Sequence, residues 1–176
     1  MQRVLILKLL LIIFLPSILP VNGFSQTKVG YIDSKKILES MQESRDAKLR
    51  LDNLITQWQG ELKVMQDSLK VLKDDYEKKK LILTDQLKKE TETKITELEA
   101  SVGNFKVQKF GENGEYFQKQ TEFMKPVQDR IFKAIEAVAK EGSYDYVFDR
   151  SSDILLLYVN ESYDLTAKVI KEIEGK

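Results

Sequence analysis

The sequence predicts an α+β protein: one long antiparallel helical coiled-coil hairpin, an arm, attached to a small β-sheet body. Three observations predict it. The chain from about Ser34 to Glu141 is charged and heptad-patterned, with no Pro between Ile37 and Pro126. Short β-forming runs lie on either side of that stretch, and its pattern breaks near the middle, where the chain can turn back.

The chain begins with Met1-Gln2-Arg3, then an apolar run from Val4 to Leu15 interrupted only by Lys8, then Pro16, Pro20 and Gly23. That is the order of a secretory signal peptide, with cleavage expected near Gly23 to Ser25. A retained anchor is the alternative, but the run is short for a span of about 20 residues. No Cys follows either cleavage position, which argues against a lipoprotein anchor. Without any Cys, an exported fold relies on packing and assembly in place of disulfides.

Lys28 to Asp33 is rich in β-formers and reads as strand one, ending where Asp33 or Ser34 can cap a helix. The outgoing half of the arm places Leu51, Leu54, Trp58, Leu62, Met65, Leu69, Leu72 and Tyr76 at three- and four-residue steps, one narrow seam for a partner helix. In the return half Phe117, Met124, Ile131 and Val138 fall at steps of seven, with Val127 and Ile135 between them. The seam falters at Lys79 and Lys80, before Leu81-Ile82-Leu83 and Thr84-Asp85. The turn is expected there, near 81–84, with Thr84 or Asp85 capping the second helix. One unbroken helix would span roughly 160 Å, whereas a hairpin gives arms of roughly 70 to 85 Å with tethered partners. A continuous rod that dimerises is the alternative.

Gly103, Gly111 and Gly114 mark a stretch where the return arm bends or is interrupted, and Pro126 a point where a helix begins or kinks, making Val127 to Glu141 a separate segment. Phe105, Tyr116 and Phe123 project within about 20° of each other at 100° per residue, beside the Phe117/Met124 seam. They either broaden the hairpin packing or face a partner. At the tip, Lys78, Lys79, Lys80, Lys88 and Lys89 surround Leu81 to Leu83. That is either a solvated face or a weak contact for anionic lipid.

Gly142 stops the last arm helix. Tyr144 to Asp149 and Ile154 to Val159, separated by Arg150 to Asp153, read as a β-hairpin that makes a three-stranded sheet with strand one. Asp164 caps a short closing helix carrying Leu165, Val169, Ile170 and Ile173.

The chemistry is narrow. With no His and no Cys, the usual general base, transition-metal ligands and activated thiol are missing, so an enzyme is not expected, nor any cofactor or metal site. Asp33 and Asp149 end strands, where capping is the ordinary role, and Asp149 with Asp153 lacks the pattern of a calcium loop. Lys and Arg balance Asp and Glu at 28 each, and removal of residues 1–25 takes Arg3 and Lys8 away, so no nucleic-acid partner is expected.

Lys28-Val-Gly-Tyr-Ile-Asp33, the long charged helices, Ile131-Phe-Lys-Ala-Ile-Glu-Ala-Val-Ala-Lys140, Tyr144-Asp-Tyr-Val-Phe-Asp149, Ile154-Leu-Leu-Leu-Tyr-Val-Asn160 and Asp164-Leu-Thr166 together resemble the Skp/OmpH family of periplasmic chaperones. The resemblance implies a jellyfish-like homotrimer. Three hairpins would hang from a shared β-body and enclose a cavity for unfolded outer-membrane β-barrel proteins, held without ATP. It implies a body built from Val29, Tyr31, Ile32, Tyr146, Val147, Phe148, Leu155 and Leu157, in residues 26–34 and 142–176, with the arm at 35–141. Phe105, Tyr116, Phe123, Leu81, Ile82 and Leu83 are the candidate client contacts. The family's best-known members are markedly basic. This near-neutral chain should therefore capture acidic clients less by charge, with a smaller salt dependence. The alternative of another class is a coiled-coil spacer or adaptor of the cell envelope.

Overall fold

The computed structural model describes residues 26–152 and 156–175. The expected signal peptide and Leu155 lie outside them. In order, the elements are β1 (Val29–Ile32), α1 (Ser34–Ser40), α2 (Gln42–Lys79), α3 (Asp85–Phe110), α4 (Glu115–Glu141), β2 (Tyr146–Asp149), a 3₁₀ turn (Glu161–Tyr163) and α5 (Thr166–Glu174).

The chain turns into α1 where Asp33, in extended conformation, accepts the Lys36 N–H on its carboxylate at 3.1 Å. A break at Met41 follows, which the sequence does not announce by Gly or Pro. Met41 is extended and buried, and Arg45 Nη1 donates to the Glu39 carbonyl at 2.6 Å to satisfy the end of α1. The kink allows Ile37 and Met41 to share one core before α2 sets off along the arm.

α2 runs out for 38 residues, packing first on α4 and farther out on α3. Its seam is the expected one: Leu51, Leu54, Leu62, Met65, Leu69, Leu72 and Tyr76 are half-buried and Trp58 is buried. The facing seam of α3 is Thr91, Ile95, Leu98, Val102, Phe105 and Lys109, at steps of four and three. Residues Lys80 to Thr84 form the turn between them, and the Thr84 hydroxyl accepts from the Leu87 N–H at 3.4 Å.

α3 stops at Phe110, so the return arm is interrupted from Gly111 to Gly114, while Gly103 stays helical. Asn113 takes a left-handed conformation with φ 61°, and a Cβ on Gly114 would lie 2.9 Å from the carbonyls of Gln108 and Gly111. α4 then runs without a break through Pro126, so Val127 to Glu141 is no separate segment. The missing N–H of Pro126 forfeits one hydrogen bond to Glu122, which the α4 packing around it tolerates.

β2 lies parallel to β1, Val29 opposite Tyr146 and Ile32 opposite Asp149. This corrects the expected three-stranded sheet, because among the described residues the sheet has two strands and residues 156–160 make none. Two causes are visible. The long arm is a crossover, which returns the chain in the same direction and permits parallel pairing. After β2, the Asp149 carboxylate accepts from Ser151 N–H and Oγ at 3.0 and 2.7 Å and from Ser34 N–H at 3.1 Å, tying the turn to the start of α1. A parallel bridge from Tyr31 to Asp164 occupies the other side of β1.

One core forms where the arm meets the sheet. Ile32, Ile37, Met41, Ala47, Val127, Ile131, Ala134, Val138, Leu165, Val169 and Ile173 bury together. Asp164 accepts the Thr166 N–H at 2.8 Å and starts α5, whose Leu165, Val169 and Ile173 face that core. Gly30 is required here, since a Cβ would come within 2.6 Å of Leu165 Cδ1. At the end of α4, a Cβ on Gly142 would collide with the Tyr144 ring, and Ser143, φ 52°, carries the left-handed turn.

Candidate client-binding surfaces

The two strand-end carboxylates are structural. Asp33 is almost fully buried, caps α1, and lies 4.0 Å from Lys36 Nζ and 3.9 Å from Arg150 Nε. Burial pushes the Asp149 carboxyl up, but hydrogen bonds from Ser34 and Ser151 outweigh it and leave the group below its ordinary value. Among the described residues no group of three His, Cys, Asp or Glu side chains could hold a metal ion.

Alternation along the strands divides the candidate body residues between two faces. Ile32 and Val147 turn inward to the core. Val29, Tyr31, Tyr146 and Phe148 share the opposite face, where Val29, Tyr146 and Phe148 are exposed. Leu156, Leu157 and Tyr158 add to the exposed apolar surface, and a cavity of about 530 Å³ lies between Val29, Tyr31, Phe148, Leu156, Val159 and Tyr163. The Tyr31 hydroxyl is buried there with no hydrogen-bond partner among the described residues, and the Arg150 guanidinium sits 5.9 Å from its ring.

Along the arm the expected seam of α4 holds except at Phe117: Val127, Ile131 and Val138 are buried and Met124 and Ile135 pack half-buried against the core, while Phe117 is 48% exposed. Tyr116, Phe123 and Ala134 widen the inward side. Tyr116 stacks edge-on against Phe117 at 5.0 Å, and Phe123 packs on the root core. Phe105 is half-buried in the α3 seam. The candidate aromatics are therefore half-buried, and the more exposed arm rings are Phe117 and Phe132. Phe117 fits the steps of seven, but its neighbour Tyr116 is the more buried of the two, a choice that periodicity alone does not make.

The tip is different. Leu81 is 91% and Ile82 84% exposed, with Leu83 half-buried. Lys79 pairs with Asp75 at 2.7 Å, Lys80 with Glu77 at 2.6 Å and Lys88 with Asp85 at 3.5 Å, while Lys78 and Lys89 have no ion pair among the described residues.

Sequence reasoning missed one cluster at mid-arm. Trp58 is buried against the edge of Phe110, ring centroids 5.9 Å apart, and Lys109 Nζ sits 5.1 Å from the Trp58 ring and 2.6 Å from Glu115 Oε2. The hydrogen bond from Lys109 holds the Glu115 carboxyl below its ordinary value. The signal available was a lone Trp in a Leu-rich seam opposite a Gly-bounded break.

The family model for outer membrane protein (OmpH-like) matches residues 28–173. An uncharacterized protein of Aquifex aeolicus (strain VF5) is 26% identical over 143 residues, 81% of this chain and 83% of that protein. The crystal structure of a candidate OmpH-like outer membrane chaperone from Caulobacter crescentus CB15 matches with a TM-score of 0.70 at 15% identity, over 87% of each chain, a likeness of fold.

Proposed function

This chain belongs to the OmpH-like outer membrane protein family, and from that premise we propose that it is an ATP-independent periplasmic holdase that keeps unfolded outer-membrane proteins from aggregating. In this reading residues 26–34 and 142–176 form an assembly body shared by three copies. Residues 35–141 form the arm, and clients lie between the arms.

The observation that carries the reading is the open apolar sheet face. Val29, Tyr146, Phe148, Leu157 and Tyr158 together leave a patch of the kind that marks an interaction surface. An assembly that covers it would gather several arms around one space. Many weak contacts from such arms retain a chain by avidity, with no fixed epitope and no cofactor. Leu81, Ile82 and Leu83 at the tip and the accessible edges of Phe105, Tyr116 and Phe123 are the proposed client contacts. Lys78 and Lys89 beside Leu81 and Ile82 support a weak contact with anionic lipid.

The unbroken 38-residue α2 favours one rival, a stiff spacer of the cell envelope. Light scattering coupled to size exclusion on residues 26–176, with and without an unfolded β-barrel protein, separates the two. A trimer of large hydrodynamic size that takes up one client and keeps it soluble is expected. A monomer or dimer that ignores the client would sink the holdase and leave the spacer.

A further inference from the structure

Both helices of the arm are weakest at the same level. On the return side, α3 and α4 are separate helices joined by Gly111 to Gly114. On the outgoing side, Gly60 lies two residues beyond Trp58, with nothing within 4 Å of where its Cβ would be. A Gly inside a helix loosens it relative to Ala, because its backbone has more freedom to lose. The seam changes step there too. Leu54, Trp58 and Leu62 are two four-residue steps in succession, which locally unwinds a heptad pattern.

At that level sits the best-packed cluster of the arm. Outside the root, Trp58 and Val102 are the buried apolar residues among the described ones. Trp58 touches Phe110 at the end of α3. Lys109, also on α3, points its ammonium between the rings of Trp58 and Phe105, 5.1 and 5.8 Å away, and bonds Glu115 at the start of α4. Gln108 Nε2 adds a second bond to Glu115 at 3.0 Å. The Lys109 and Glu115 side chains are 16% and 30% exposed, far less than the ion pairs of the outer arm. One tryptophan and one ion pair therefore bridge all three helices across two weak backbones.

We propose that this level is a joint, with Trp58 as its pin and the Lys109–Glu115 pair as its latch. Closed, the arm is one rigid body. Open, the outer arm from Glu61 round the tip to Phe110 swings about Gly60 and Gly111 to Gly114, whose backbones absorb the change and part Lys109 from Glu115. That such swinging resizes the space for a client rests on the holdase reading; the joint itself does not.

The chain has no Cys, so spin labels can be placed at will. Lys48→Cys and Lys89→Cys, both on exposed positions, put one label at the root and one near the tip, roughly 50 Å apart along the helix axis. Pulsed EPR is run on labelled full-length mature chain diluted with unlabelled chain, without client. The parent should give a narrow distance distribution. Trp58→Ala should widen it about twofold or more and Glu115→Gln by less, with helical circular dichroism retained. If Trp58→Ala costs the fold, Glu115→Gln and Gly60→Ala decide. Gly60→Ala should narrow the distribution that Glu115→Gln widens. A parent as broad as the variants, or variants as narrow as the parent, overturns the joint. Solubility of an unfolded β-barrel protein, assayed on the same variants, then reports on the holdase separately.

Discussion

The root and the outer arm are made from the same kinds of residue and are held together differently. At the root, α1, α2, α4 and α5 close around Ile37, Leu165 and Val169, all fully buried. In the outer arm, α3 is the one element beside α2 among the described residues, so Leu62, Met65, Leu69 and Leu72 reach half-burial and no further. Two helices share one seam, and water reaches both of its sides; a third and fourth element are needed to shut it out. The arm compensates with charge. Lys63–Asp67 at 2.7 Å, Lys70–Asp74 at 2.6 Å and Lys79–Asp75 at 2.7 Å are i, i+4 pairs, and Lys73–Glu99 and Tyr76–Glu92 cross between helices. Exposed pairs of this kind are screened by water and salt, so they fix geometry more than they add stability.

The contrast can be broken by deleting the same side chain in both places. Leu165→Ala should lose about 2–5 kcal/mol in urea unfolding, whereas Leu69→Ala should lose about 1 kcal/mol. Equal losses would mean that the outer arm is covered by something beyond its own chain. Adding atoms sharpens it from the other side. Gly30→Ala, whose Cβ would press on Leu165 at 2.6 Å, should cost about 1–3 kcal/mol, and Gly103→Ala, with open space around it, should stabilise by about 1 kcal/mol. A neutral Gly30→Ala would show that Leu165 has room to move. Asp33→Ala removes a helix cap at the root and should lower the urea midpoint by an amount equivalent to about 1 kcal/mol.

The smallest effect is acid. Asp149 at the root, where burial is outweighed by the Ser34 and Ser151 hydrogen bonds, and Glu115 in the arm, bonded by Lys109, both hold folded values below the ordinary carboxylate range. The unfolded chain then binds the proton more tightly. Their stabilisation is therefore complete above the unfolded value and is lost as pH falls through the folded one. Hydrogen exchange during acid titration should show Asp149→Asn flattening the response of root amides and Glu115→Gln that of amides near Gly111. A single response shared by both regions would deny that they are separate units.

How far the sequence reveals this depends on whether a feature is local. The Asp33 cap, the α2 seam, the Gly142 stop and the inward face of α5 each follow from residues within two turns of one another. The Met41 kink does not, because it is set by where Ile37 meets Leu165 and Val169 on a distant helix. The exposure of Phe117, the one departure from the expected α4 seam, is hidden for a related reason. Tyr116 stands beside it, and only a partner helix chooses which of the two rings turns inward. The parallel sheet was hidden by its own connection: Ile154 to Val159 makes a convincing hairpin partner until the arm has been followed out and back. At the strand ends, by contrast, Asp33 and Asp149 were legible as caps, and the candidate surfaces could be read as apolar but not as open or covered.

The parallel pairing also sets an order of events. Lys28 and Asp145, which start the two strands, are 117 positions apart and are joined through hydrogen bonds of 2.6 and 2.8 Å. A loop of that length closes at high entropic cost, whereas each turn of helix and each step of the arm seam involves near neighbours. Zipping the arm brings the two strands within reach, so the sheet closes after the arm has formed. An emerging chain would thus carry finished arms before its apolar sheet face exists, and the surface most prone to misassociation is the last to be made.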